Sequence, residues 1–284
     1  MKEACLVFFY TGDSYVIRLA QETVVLKNYL KNYQKTVLLK HTDKIGGIDL
    51  SGVAKNKADI FDKPTKENFV KYIRTLAQEG YLIDVYIFGH GSDKSFRVST
   101  GTNGSKGTIT ADYVTDSLSY AKTGFKKLPI RLVYQGICYG STWNSTWKNL
   151  GAMCSVGAQY VNFYPNQMGD FIREWNKGSS VSTALKKSNT ATSRTVVQTL
   201  YILPDALATR KEWGGCPFGK TVLGKHKYAK NYFSYEWGLT GSKYNSDYSG
   251  NDNMNNSSKM VSAGSAAITR NTKAYYESYM EEAA

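Results

Sequence analysis

The sequence predicts an α/β fold in which a mostly parallel sheet is sandwiched between helices. Short, dense apolar runs recur along the first two hundred residues, and segments with helical apolar spacing separate them. A strand apolar at every position needs both faces covered, and strands joined through helices pair in parallel. The pattern weakens after Leu203-Pro204. Residues 205–284, rich in Gly, Asn, Ser and Tyr, therefore read as an irregular C-terminal extension, or a small lobe packed on a 1–204 domain.

The elements follow in order. Cys5–Tyr10 is a buried strand bounded by Thr11-Gly12-Asp13-Ser14. Val16–Tyr33 carries Ile17, Ala20, Val24 and Val25 at helical spacing and ends among lysines, which suit a helix C-terminus. Thr36–Lys40 is the second strand. Pro64-Thr65-Lys66-Glu67 opens a helix with Phe69, Tyr72, Ile73 and Leu76 on one face, and Glu79-Gly80 stops it. Tyr81–Phe88 and Ile130–Tyr134 are strands. Between them, 98–110 reads as a hairpin and 111–121 as a short helix. A strand near Met153–Tyr160 and helices near 166–176 and 179–199 complete the pattern.

With 284 residues, 42% of them hydrophobic and 21% charged, the chain suits one large globular domain. It has no apolar run of about 18 residues, so no membrane span is expected. Its opening residues read as a strand rather than a signal peptide. The four cysteines, Cys5, Cys138, Cys154 and Cys216, follow no CxxC pattern. A disulfide framework or a zinc site is not expected, and the default setting is a reducing, cytoplasmic interior. No metal or other cofactor is implied; the glycine-rich stretches lack the context of a phosphate loop. The net charge of +13 is uneven, with ten Lys/Arg against Asp170 and Glu174 in residues 120–194. Such a region suits nucleic acid, an anionic surface or an acidic peptide, or is simply a solvated basic face.

Two predicted strands deliver reactive groups at their carboxyl ends, where open α/β sheets bind ligands. Ile87-Phe88-Gly89-His90-Gly91 ends in a histidine between glycines, and Leu132-Val133-Tyr134-Gln135-Gly136-Ile137-Cys138 ends in a cysteine. A thiol needs a base to act as a nucleophile, and imidazole titrates in the right range. The backbone N–H groups of Gly91 and Cys138 are candidates to stabilise an oxyanion. Taken singly, a His-Gly turn or a buried cysteine is most often structural; the two together on two strand ends are far more specific. Cys5 and Cys154 read as core, Trp143 and Trp147 as core anchors, and His41 and His226 as surface residues.

On these residues the chain resembles the clan CD cysteine peptidases, which include caspases, metacaspases, legumain, clostripain, gingipain and bacterial CHAT-domain proteases. Their signature is a hydrophobic strand ending in His-Gly, then one ending in the catalytic cysteine. The downstream pattern Gly178-Ser179-Ser180-Val181-Ser182-Thr183-Ala184-Leu185 resembles the bacterial members, and the resemblance covers roughly residues 1–200. It implies a caspase-like catalytic domain over 1–204 and a cysteine endopeptidase working by a His90–Cys138 dyad through a thioester. Its partners would be a protein or peptide substrate and, as among bacterial members, a sensor or regulatory protein that activates it. In many relatives an Asp, Glu or Gln two residues before the cysteine shapes the P1 pocket. Here that place is Gly136, with Gln135 one residue upstream. The basic balance of 120–194 suits an acidic P1 residue, whereas Asp170, Glu174, Asp93 or Asp112 would suit Lys or Arg; both remain open. Two further readings stand beside this one. One is a catalytically silent caspase-like module binding nucleic acid or protein through 120–194; the other is a cysteine-dependent acyltransferase.

Overall fold

From Ala4 to Tyr10 the chain offers a buried apolar side chain at every position, and this run forms β1 (Lys2–Tyr10). The computed structural model describes residues 2–10, 32–40, 44–45, 48–49, 60–100, 105–159, 167–189 and 260–270. The helix expected over Val16–Tyr33 lies outside them apart from residues 32–33, which form a turn. β2 (Lys35–Leu39) follows, then a two-strand ribbon of β3 (Lys44–Ile45) and β4 (Ile48–Asp49), and the short β5 (Ile60–Asp62).

α1 (Lys66–Gln78) starts where expected. The Thr65 hydroxyl accepts a 3.1 Å hydrogen bond from the Asn68 N–H, supplying one of the partners a helix start lacks. Phe69, Val70, Tyr72, Ile73 and Leu76 form its buried stripe, and Gly80 terminates it with φ +75°. β6 (Tyr81–Gly89) is buried from Leu82 to Phe88. Directly after His90 the chain folds into a small antiparallel sheet of β7 (Gly91–Ser92), β8 (Ser95–Thr100) and β9 (Ser105–Thr110). The helix expected over 111–121 is two helices, α2 (Ala111–Ser117) and α3 (Tyr120–Thr123). The chain leaves the first at Leu118, which stays buried in the core.

β10 (Ile130–Gly136), α4 (Asn144–Leu150), β11 (Cys154–Ala158), α5 (Gln167–Asn176) and a helix over 181–189, α6, complete the α/β pattern. Residues 260–270 return to the same sheet, with β12 (Met260–Gly264) pairing antiparallel to β11. Met260 and Ile268 join the core.

The seven-stranded sheet runs β12-β11-β10-β6-β1-β2-β5, parallel except for β12. It is therefore α/β with a mostly parallel sheet between helices. Alternation along β1 separates two cores: Leu6 and Phe8 face α1, Trp143 and Trp147, while Val7 and Phe9 face Phe171, Trp175 and Ala184. From β1 the chain order runs outward in both directions, to β2 and β5 on one side and to β6, β10 and β11 on the other. The topological switch point lies between β1 and β6, and the crevice beyond their carboxyl ends is where ligands bind in such sheets.

The opposite end of the sheet holds a buried ionic cluster. Asp84 accepts hydrogen bonds from Arg131 Nε (2.9 Å) and Nη2 (2.7 Å), the Tyr33 hydroxyl (2.6 Å) and Trp175 Nε1 (3.2 Å). Arg131 Nη1 also reaches Glu3 (2.7 Å), which in turn accepts from Arg270 (3.0 Å). Burial works against the Arg131 charge, yet the Asp84 carboxylate and Glu3 hold its pKa well above the usual range.

Candidate active site

Strand register brings the ends of the two strands that precede the candidate residues level. β6 and β10 are neighbours, and Gly136 pairs with Phe88 at the end of their ladder. Two residues further along each chain, just past the ends of these neighbouring strands, stand Cys138, in a turn, and His90. Packing confirms the approach: a Cβ placed on Gly91 would lie 2.6 Å from the Cys138 carbonyl oxygen and 2.9 Å from Ile137 Cβ. Only glycine lets the His90 and Cys138 segments come this close. Gly89 serves the same purpose against β1, since at its φ of +147° a Cβ would lie 2.6 Å from the Tyr10 carbonyl.

The turn after each residue is locked to the other. Tyr139 follows Cys138 in the left-handed region (φ 55°), and Lys94 occupies it in the β7–β8 turn (φ 47°). Such positions cost about 1–3 kcal/mol each and persist where surroundings over-determine them. Here the Lys94 N–H donates to the Thr142 hydroxyl (2.9 Å), and that hydroxyl donates to the Tyr139 carbonyl (2.8 Å). The turn of 140–143 lies directly on β11, where a Cβ on Gly157 would meet Gly140 C at 2.2 Å.

His90 opens onto a cavity of about 430 Å³ at the switch-point crevice, lined also by Tyr10, Gly91, Ser92, Ser95, Phe96, Arg97 and Thr108. The His90 carbonyl accepts a 2.9 Å hydrogen bond from the Arg97 N–H. Cys138 is half-buried, whereas Cys5 and Cys154 are fully buried. Burial pushes the Cys154 thiol up to about 12, which makes it inert. Among the three described cysteines only Cys138 combines access with a neighbouring histidine.

The residues expected to shape a P1 pocket lie elsewhere. Gln135 is fully buried: its amide nitrogen donates to Ser155 Oγ (3.1 Å) and Asn144 Oδ1 (3.3 Å), and its oxygen accepts from Trp147 Nε1 (3.1 Å). Gly136 packs against the Phe88 ring, 2.9 Å from a Cβ placed there. Asp170 pairs with Arg173 at 2.6 Å on α5, across the sheet from α4. None of the three lines the cavity beside His90. Trp143 and Trp147 are core anchors, fully buried. His41, His226 and Cys216 lie outside the described residues.

Arg97, Ser95 and Thr108 carry no signature in sequence beyond the alternation Phe96-Arg97-Val98, which places Arg97 on the face away from the core. Among the described residues no group of three or more His, Cys, Asp or Glu side chains could hold a metal ion, and no helix is long and apolar enough to cross a membrane. No protein-family model matches the chain, and no curated protein matches it as a relative.

Proposed function

We propose that the protein is a caspase-like cysteine endopeptidase, with Cys138 as nucleophile and His90 as general acid/base. The observation that supports it most is the placement of His90 and Cys138 just past adjacent strand ends, with Gly91 packed on the Cys138 carbonyl. In the proposed reaction the Cys138 thiol gives its proton to His90 as sulfur attacks the scissile carbonyl. The Gly91 and Cys138 N–H groups receive the oxyanion. Collapse breaks the C–N bond, His90 returns the proton to the leaving amine, and a Cys138 thioester remains. Water, deprotonated by His90, then hydrolyses the thioester and regenerates the thiol.

The catalytic unit assigned to 1–204 would draw β12 of the C-terminal region into its sheet. Its partners would be protein or peptide substrates and an activating regulatory protein. The thiol state of Cys5, Cys138 and Cys154 supports a reducing, cytoplasmic setting. The binding-module reading is weaker, because four cations of the 120–194 region are already engaged. Arg131 pairs with Asp84 and Glu3, Arg173 with Asp170, and Lys177 and Lys187 with Glu174. Turnover of a peptide library by the wild type, abolished in folded Cys138→Ala, is the test; undiminished cleavage by that variant removes the assignment.

A further inference from the structure

Among the described residues that line the cavity beside His90, Arg97 is charged and none is an acid. Along β8 the side chains alternate: Phe96 and Val98 enter the core with Ile109 of β9, while Ser95 and Arg97 face the cavity. Thr108, the cross-strand partner of Arg97, lies on the same face. The Arg97 N–H donates to the His90 carbonyl, so this face is fixed relative to the His90 backbone. The Arg97 guanidinium has neither ion pair nor hydrogen bond among the described residues, and no Asp or Glu among them lines the cavity. What surrounds it is hydroxyl-rich, from Tyr10, Ser92, Ser95 and Thr108.

An arginine fork offers paired donors matched to a carboxylate, and hydroxyls donate to its remaining lone pairs. A lysine or arginine side chain entering the same space would meet Arg97 with no acid among the described lining residues to offset the repulsion. At about 430 Å³ the cavity falls in the range of small-ligand sites and has ample room for a carboxylate side chain. We propose that it is a specificity subsite for an Asp or Glu side chain adjacent to the scissile bond, with Arg97 as the residue that selects it. The inference rests on the peptidase reading above, and it settles the acidic-versus-basic question by a residue outside the cysteine motif.

Two sets of internally quenched peptides test it, one with Asp or Glu fixed at each position around the bond and one with Asn or Gln there. Wild type is expected to cleave the carboxylate set with a kcat/KM at least about tenfold higher, the worth of a charge-assisted hydrogen bond. Arg97→Gln should erase that ratio and Arg97→Glu should shift preference toward Lys or Arg. In parallel, fluorescence anisotropy on Cys138→Ala compares affinity for the same carboxylate and amide peptides without requiring turnover. There the preference should again be about tenfold and vanish when Arg97→Gln is added. Equal binding and cleavage of both sets, or a preference that survives Arg97→Gln, overturns the subsite. No cleavage of any peptide by the wild type, with the binding preference intact, instead removes the peptidase reading and leaves the carboxylate site standing.

Discussion

Gln135 shows how a side chain can serve the site without facing a substrate. Its position beside the cysteine invites a pocket role, but alternation along β10 sends Val133 and Gln135 to the α4 side, under Trp147 and Asn144. There its amide holds the start and middle of α4 against Ser155 of β11, and so fixes the turn that presents Cys138. Replacing it with Ala leaves the Trp147 Nε1–H buried without its acceptor. Gln135→Ala should lower stability by about 1–3 kcal/mol, read as a reduced urea midpoint at unchanged slope. At this scale the candidate pair was legible as residues at two neighbouring strand ends, because a histidine and a cysteine each follow an apolar run with glycines beside them. Arg97 was not: one charged residue in an alternating hairpin looks like any solvated surface position until the cavity is seen.

Among the elements, the joint between α5 and α6 is built on charge. Glu174 accepts from Lys177 of the α5 end (2.9 Å) and from Lys187 of α6 (2.5 Å), and these hydrogen bonds lower its pKa from 4.5 to about 2. A carboxylate with a depressed folded-state pKa contributes stability that is present above its unfolded value and is lost as pH falls through the folded one. The urea midpoint should therefore fall between about pH 4.5 and 2, and Glu174→Gln should flatten that part of the profile. An unchanged slope in the variant would mean the two lysines contribute nothing to the joint. Helix α1 was legible end to end, since Thr65 and Gly80 carry its start and stop locally. The break between α2 and α3 was not, because Leu118, where the first helix ends, stays buried and so continues the apolar pattern across the break.

The whole molecule divides its labour along the strands. At the amino ends, Glu3, Asp84, Arg131 and Arg270 tie β1, β6, β10 and the 260–270 segment together; at the carboxyl ends, the segments that carry His90 and Cys138 pack together through Gly91. Asp84→Ala should cost about 3–5 kcal/mol by leaving Arg131 with an uncompensated part of its charge in the interior. Adding Arg131→Met should recover part of that loss in chemical denaturation, a pattern that plain cavity formation does not produce. Opposite charges inside two apolar runs, Asp84 and Arg131, were the signal for this cluster, readable once the runs were taken as adjacent strands. Strand order and the return of β12 were not readable, since contacts such as Glu3 with Arg270 join residues 267 apart and leave no local pattern. The account stands or falls on the pair at the other end. Its most direct measurement is kcat/KM for peptide cleavage by wild type, Cys138→Ala and His90→Ala, each verified as folded by its unfolding midpoint. The account predicts turnover by the wild type, none above background for Cys138→Ala, and a loss of at least about 100-fold for His90→Ala. Cleavage retained by either folded variant would contradict it.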